Sequence, residues 1–448
     1  MKRNKLLTLI AAVFCIAALL AFGTTGWADK GGVPNVNSGK PTEDPEDPPP
    51  TPIDGYYFWR LGHMDGPHDS SKALGISRDG KTAVGSTVVV DFTRAWRLDI
   101  DWAIATDDGV PPLYNELQVQ EDLGVVAPSQ PSAAYASSDM TYVPNYDKVN
   151  LILDWGGSMP VGGYNVGMVS YGIEWLLPVL DSVDEGDYLA IPDFGGGISD
   201  MTVTDVSADG FFLVGTGHAM TGPVAFRADT TVVDEDGVPI PVQLTIQDAV
   251  TMQTLQSSSA QAVSADGLII AGYGGASTGN RAFVTTVLDA TTDPITLESS
   301  ILPGLGGGKF TEAYAITPDG LIIAGRSDSP KGPVACIWFV DETTGEWVIK
   351  ELGALSKKNK DAVATGIAYR PGSAVGELIV VGYSQSILYP SEAFVWTGNP
   401  TLEEEEIGYF YDLEYILTKT GAGEASLMGS SWILNEATGI SAGGDRIV

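Results

Sequence analysis

The sequence predicts an all-β fold, a seven-bladed β-propeller closed by its N-terminal strand. Three observations carry this expectation: a recurrent Asp-Gly hairpin, a small-plus-aromatic strand after each hairpin, and complementary deficits at the two ends of the repeat region.

The hairpin unit reads Ala-x-x-Ile/Val-Ser/Thr-x-Asp-Gly, with a further Gly five residues on. It is clearest at Ala73–Gly85, Val203–Gly215, Ala260–Gly272 and Ala313–Gly325. Its turns are Asp79-Gly80, Asp209-Gly210, Asp266-Gly267 and Asp319-Gly320, and turn geometry accounts for them without any chemistry. Asp-Gly between apolar runs marks a hairpin, because Gly adopts the positive φ that a tight turn requires. A hairpin recurring at tens of residues means a solenoid or a propeller. Degraded copies begin at Ala364 and Ala437, and a looser one spans Ala134–Trp155, with Val149–Leu153 as its returning strand.

The second element reads Ala95-Trp96, Gly172–Trp175, Ala225-Phe226, Ala282-Phe283, Ala335–Trp338 and Ala393–Trp396. A further copy, Tyr56–Trp59, precedes the first hairpin, while the hairpin at Ala437 has none after it. The N-terminal strand is therefore expected to complete a final blade drawn from Phe410–Val448, which removes a free sheet edge. Blade spacings of 51 to 73 residues leave room for insertions at Asp99–Pro131, Gly156–Ser170, Leu176–Asp187, Thr230–Val242 and Thr397–Gly423. Phe410–Thr420 is the one segment with a short helical pattern.

Three regions are expected. Residues 1–28 read as a signal peptide: Lys2, Arg3 and Lys5 precede the apolar run Leu6–Phe22, and Gly26-Trp27-Ala28 supplies small residues. That run is close to a membrane span in length, so an uncleaved anchor is the alternative. Residues 29–54 form a linker whose Pro41–Pro52 is rich in Pro, Glu and Asp, an extended spacer. Residues 55–448 form the repeat domain. Secreted or cell-surface localisation follows, with no membrane contact after cleavage.

Cys15 leaves with the signal, so Cys336 has no intramolecular disulfide partner and reads as a buried small hydrophobe. The 24 Lys and Arg against 57 Asp and Glu give a net charge of −33, which disfavours nucleic acid and anionic lipid. It favours a soluble, monomeric chain and metal cations.

The chemical motifs are weak. Gly304–Lys309 lacks the Ser/Thr and the helix of a phosphate loop. Gly275–Gly279 formally matches a nucleophile elbow but joins strand to strand. His63, Asp65 and His68 place two imidazoles and a carboxylate in one loop, a metal candidate without a fixed spacing, and His218 lies at the corresponding place of another repeat. Asp99, Asp101, Asp107 and Asp108 lack the register of a calcium loop. No cofactor is expected, with calcium at that irregular acidic loop left open. Aromatic residues are densest in the second repeat. There Tyr146, Trp155 and Tyr164 are the ligand-binding candidates, since loop aromatics stack on sugars or anchor protein partners.

The combination of Leu302–Gly308, Ala313–Gly325 and Ala335–Trp338, echoed by Leu352–Leu355 and Ala393–Trp396, resembles the HAF-repeat extracellular proteins of bacteria. The hairpins are also similar to those of TolB-type propellers. The resemblance implies export and a repeat fold, and no activity. The leading functional expectation is a secreted, non-enzymatic binding or surface-interaction propeller, with carbohydrate or an extracellular protein as partner. The alternative is a polysaccharide lyase or hydrolase on the same scaffold, which would need His, Tyr, Arg or Lys converging on the central cleft.

Overall fold

The computed structural model describes residues 57–58, 70–89, 92–99, 121–122, 132–137, 160–166, 169–175 and 188–190. From 201 onward it describes all but 220–221, 235–238, 278, 290–295, 307–309, 331, 357–360, 372–375, 387–388, 401–407, 421 and 424–432. The signal and linker segments lie outside the described residues. Contacts divide the chain into Met1–Asn35 and Val36–Val448, and every described residue belongs to the second unit. Among them, no helix is long and apolar enough to cross a membrane.

The fold is an all-β propeller. A short strand β1 (Tyr57–Phe58) precedes the first four-stranded sheet, β2 (Ser70–Ile76), β3 (Thr82–Val89), β4 (Phe92–Asp99) and β5 (Glu121–Asp122). The second contains β6 (Ser132–Ser137), β7 (Pro160–Val166), β8 (Val169–Trp175) and β9 (Tyr188–Ala190). The third is β10 (Thr202–Val206), β11 (Phe212–Ala219), β12 (Gly222–Val233) and β13 (Pro239–Gln243). The fourth is β14 (Ser257–Val263), β15 (Ile269–Ala276), β16 (Gly279–Asp289) and β17 (Thr296–Ile301). β18 (Thr311–Ile316), β19 (Ile322–Ser329), β20 (Gly332–Val340) and β21 (Trp347–Gly353) make the fifth. β22 (Ala362–Tyr369), β23 (Leu378–Ser384), β24 (Glu392–Gly398) and β25 (Gly408–Asp412) make the sixth. A helix, α1 (Leu413–Thr420), and β26 (Ala422–Gly423) follow.

The expectation of seven four-stranded blades is corrected by this topology. Among the described residues six sheets have four strands, and side chains are described along most of five of them, the second being described mainly as backbone. The final blade does not assemble from Phe410–Val448, because Phe410 lies in β25, which completes the sixth sheet by pairing with β24. The N-terminal strand β1 does pair within that segment, in parallel with β26, Tyr57 opposite Ala422, but in a sheet of two strands and not in a four-stranded blade. In the second sheet the strand returning against β6 is β7, with Ala134 opposite Gly162, and not Val149–Leu153. The pairing selects the glycine, for a reason common to every sheet.

In each hairpin the innermost strand bulges one residue after its Ala or Val, at Ala73/Gly75, Val203/Asp205, Ala260/Ala262, Ala313/Ala315 and Ala364/Gly366. The bulge drives a carbonyl against the second strand, and the residue there has no room for a side chain. A Cβ on Gly272 would lie 2.1 Å from the Ser259 carbonyl oxygen and 3.0 Å from Phe283 Cζ. This accounts for the second Gly of the repeat.

The Asp-Gly turn is equally determined. Ser207 Oγ donates to Asp209 Oδ1 at 2.6 Å, the Phe211 N–H donates to the same oxygen at 3.1 Å, and the Phe212 N–H donates to Ser207 Oγ at 3.0 Å. The same set recurs around Asp79, Asp266 and Asp319. Gly80, Gly210, Gly267 and Gly320 close these turns at φ of 71°, 76°, 72° and 76°. The Ser/Thr-x-Asp-Gly pattern is thus a hydrogen-bonded unit.

The core lies between sheets. Val214, Ala225 and Leu244 of the third pack on Ala260, Ile270 and Phe283 of the fourth. Fourth meets fifth at Ala271, Val284, Ile323 and Trp338, and fifth meets sixth at Ile337, Leu352, Phe394 and Trp396. The aromatic strand supplies the fully buried Trp96, Phe226, Phe283, Trp338, Phe394 and Trp396. Each such burial contributes about 1.5–3 kcal/mol relative to exposure. Cys336 is buried on that strand as well.

The C-terminal hairpin, residues 437–448, fills the position between the sixth and first sheets. The Ala437 N–H bonds the Gly382 carbonyl at 3.3 Å, and the Ala442 N–H bonds the Arg78 carbonyl at 2.7 Å. Thr438 Oγ1 donates to the Ala73 carbonyl at 3.1 Å, and Arg446 Nη1 to the Asp79 carbonyl at 3.1 Å. The last repeat thus ties the two ends of the series together, although its strands do not extend into a four-stranded sheet.

Candidate functional site: the central channel

The bulged innermost strands surround a cavity of about 370 Å³ lined by residues from all six sheets and the C-terminal hairpin. In six of the repeats the residue that follows the small Ala or Val lines it: Leu74, Thr204, Gln261, Tyr314, Thr365 and Thr438. Three threonines also lace adjacent strands. Thr204 Oγ1 donates to the Ala260 carbonyl at 2.8 Å, Thr365 Oγ1 to the Ala437 carbonyl at 2.5 Å, and Thr438 Oγ1 to Ala73. The lining therefore mixes hydroxyl and amide groups with apolar surface from Leu74, Ile76, Ile316 and Ile367, and the threonine bonds hold it in place.

One end of the channel, at the Asp-Gly turns, is crossed by a charged pair. Arg78 stands where other repeats carry Ala208, Ala265, Pro318 and Ala442; Asp205 stands where they carry Gly75, Ala262, Ala315, Gly366 and Gly439. From the first sheet Arg78 reaches the Val206 carbonyl at 2.5 Å, the Val263 carbonyl at 2.6 Å and Asp205 Oδ2 at 3.4 Å. Asp205 also accepts the N–H groups of Val206 and Val263 at 2.8 and 2.9 Å. Burial pushes its carboxyl above the usual range, against the opposing pull of Arg78 and these N–H groups.

Away from the turns, the second strands of three consecutive sheets present Tyr273, Arg326 and Tyr383 at one register position, each directly after the close-packed Gly. Glu312, buried with 5% of its side chain exposed, organises this group. It accepts from Asn280 Nδ2 at 2.7 Å, from Arg326 Nε at 2.8 Å and from the Tyr314 hydroxyl. The Arg326 guanidinium lies 5.0 Å from the Phe310 ring centroid, and Tyr273 and Tyr314 meet at 5.9 Å with planes tilted by 60°.

All three phenols are held protonated. Burial raises Tyr314 far above its usual range, reinforced by its bond to Glu312. Burial and then Glu312 raise Tyr273; burial and then Glu436 raise Tyr383. Burial works to lower Arg326, but Tyr314 and Glu312 outweigh it and the guanidinium stays charged. This group, linked to the channel through Tyr314, thus offers hydrogen-bond donors and aromatic surface.

Of the residues the sequence singled out, His63, Asp65, His68, Tyr146 and Trp155 lie outside the described residues. Tyr164 is not on a loop: it belongs to β7, opposite Ser132 and Tyr171 in the sheet ladder, so regular pairing positions its backbone. His218 lies in β11, opposite Pro223. Among the described residues no group of three or more His, Cys, Asp or Glu is placed to hold a metal. Sequence reasoning missed Tyr273, Tyr314, Arg326 and Tyr383. Their signal was a column of the repeat: three of them directly follow the motif's second Gly, and Tyr314 follows its first Ala.

No family model matches the chain, and no curated protein does. Among solved structures it is similar to a protein assigned as TolB from Agrobacterium tumefaciens, at 14% identity and a TM-score of 0.33, over 57% of this chain and 76% of that one. TolB from Acinetobacter baumannii is similar at 11% identity and a TM-score of 0.36, over 72% and 62%. Prolyl oligopeptidase B from Galerina marginata is similar at 11% and 0.41, over 78% of this chain and 44% of that one.

Proposed function

We propose that this protein is an exported, non-enzymatic binding propeller that takes its ligand at the central channel. The observation that carries this reading is the convergence of Thr204, Gln261, Tyr314, Thr365 and Thr438 on one cavity, with Arg326 joined to Tyr314 through Glu312 and Tyr273 and Tyr383 at the same register position of the neighbouring sheets. Hydroxyls, an amide and protonated phenols on a rigid ring suit recognition of a polyhydroxylated ligand, with a carbohydrate ahead of an extracellular protein. The basic and apolar start of the chain supports export, and the repeat at Leu302–Gly308, Ala313–Gly325 and Ala335–Trp338 supports membership of the HAF-repeat proteins.

The enzymatic alternative draws on the same group, where Tyr273, Tyr314 and Arg326 converge around Glu312. A tyrosine serving as general base needs a lowered pKa, whereas these three are raised. The ionisation therefore favours binding over proton abstraction. A panel of bacterial and plant polysaccharides, read for both retention and chain cleavage, separates the two. Retention without cleavage, weakened by Tyr314→Phe, is the expected result. Turnover of any member overturns the non-enzymatic reading.

A further inference from the structure

Beside the channel, Arg326 is linked to the lining residue Tyr314 through Glu312, and its bonding is unfinished. Arg326 commits Nε to Glu312 and rests over Phe310, and 26% of its side chain remains exposed. Among the described residues its Nη1 and Nη2 meet no hydrogen-bond partner, and neither does the Tyr383 hydroxyl on the next sheet. A guanidinium fixed through Nε presents its two Nη groups as a planar fork, which matches a carboxylate with two parallel N–H···O bonds.

We propose that Arg326, flanked by Tyr273 and Tyr383, binds the carboxylate of an acidic sugar, a uronate unit of an extracellular polysaccharide, while the ring hydroxyls face the channel. This rests on the binding reading above and names its ligand class. Glu312 serves as a positioning residue: buried and already accepting from Asn280, Tyr314 and Arg326, it fixes the fork without competing for the ligand. The protonated phenols add donors and ring faces on which a pyranose can stack. The choice of carboxylate over phosphate follows from charge. Arg326 is already paired with Glu312, so it has little positive charge left to offset a dianionic phosphate group, whereas each uronate carboxylate brings a single charge.

The test is calorimetric titration of the full chain with a uronate trisaccharide, the matched neutral trisaccharide, inorganic phosphate and a short acidic peptide. The uronate is expected to bind at least about tenfold more tightly than each of the others. Tyr383→Phe leaves the Glu312–Arg326 pair intact; it should weaken uronate about three- to tenfold with an unchanged melting temperature, and weaken the neutral sugar by a smaller factor. The double variant E312Q/R326Q removes the pair without stranding a buried charge, and should abolish the preference for uronate. Equal binding of neutral and acidic trisaccharides overturns the carboxylate site while the binding function stands. Tighter binding of phosphate or of the peptide overturns the uronate assignment, and binding of none of the four overturns both readings.

Discussion

Replacing Gly272 by Ala tests the bulge that shapes both the repeat and the channel. The added Cβ would lie 2.1 Å from the Ser259 carbonyl oxygen, 3.0 Å from Ala260 Cα and 3.0 Å from Phe283 Cζ. The first distance is roughly 1.4 Å short of an optimal contact of about 3.5 Å, and it involves backbone, so no rotamer change relieves it. Overpacking of this kind costs about 1–3 kcal/mol, and contact on three sides puts Gly272→Ala at the upper end. The loss of unfolded-state freedom returns about 0.4–1 kcal/mol, leaving a net loss of about 2–3 kcal/mol. Over roughly 390 residues at about 2.1 cal/mol/K each, the entropy of melting is ~0.8 kcal/mol/K, so the melting temperature should fall by about 2–4 °C. Gly306→Ala is the matched control, because a methyl group added there would find nothing within 4 Å, and it should shift the melting temperature by no more than about 1 °C upward. Differential scanning calorimetry reads both. If Gly272→Ala melts within about 1 °C of Gly306→Ala, the close approach does not constrain the sheet and the account of the second Gly is refuted.

Arg78→Ala removes the strut across the channel and leaves Asp205 without its cation, so urea unfolding should show a loss of about 2–4 kcal/mol, partly restored in Arg78→Ala/Asp205→Ala. Additive losses in the double variant would mean the pair is not coupled. Asp248 behaves in the opposite sense to Asp205: burial works to raise its carboxyl, but the N–H groups of Ile301, Thr251 and Val250 and the Thr251 hydroxyl outweigh it, so its pKa is lowered. A lowered folded-state pKa adds stability that is present above the unfolded value near 3.9 and lost as pH falls through the folded value. The urea midpoint gap between wild type and Asp248→Asn should therefore be largest at pH 7 and shrink toward pH 3; a gap independent of pH contradicts the assignment. Burial, and then Glu351, pushes the Cys336 thiol well up, so it should resist a disulfide reagent in the native protein and react fully in guanidinium. Rapid native labelling would place that strand at the surface.

What the sequence determined by itself was local. Ser207, Asp209 and Gly210 form their turn from hydrogen bonds spanning six residues and one positive φ, so the pattern reads directly from the chain and carries the all-β repeat with it. The alternation of small and aromatic residues similarly marked the strand that fills the gap between sheets. Tertiary structure decided the rest. The number of four-stranded sheets depends on which outer strands pair, and Gly408–Asp412 chose the sixth sheet because β24 offered it an open edge. The return strand of the second repeat lies beyond a long insertion, beside the glycine that can face a bulge. Tyr273, Arg326 and Tyr383 are more than fifty residues apart in turn and have no common motif among their neighbours beyond the preceding Gly; they become a site only because three sheets pack in the same register around one axis. Turn chemistry acts over a few bonds, whereas the grouping of residues from three sheets is a property of the ring.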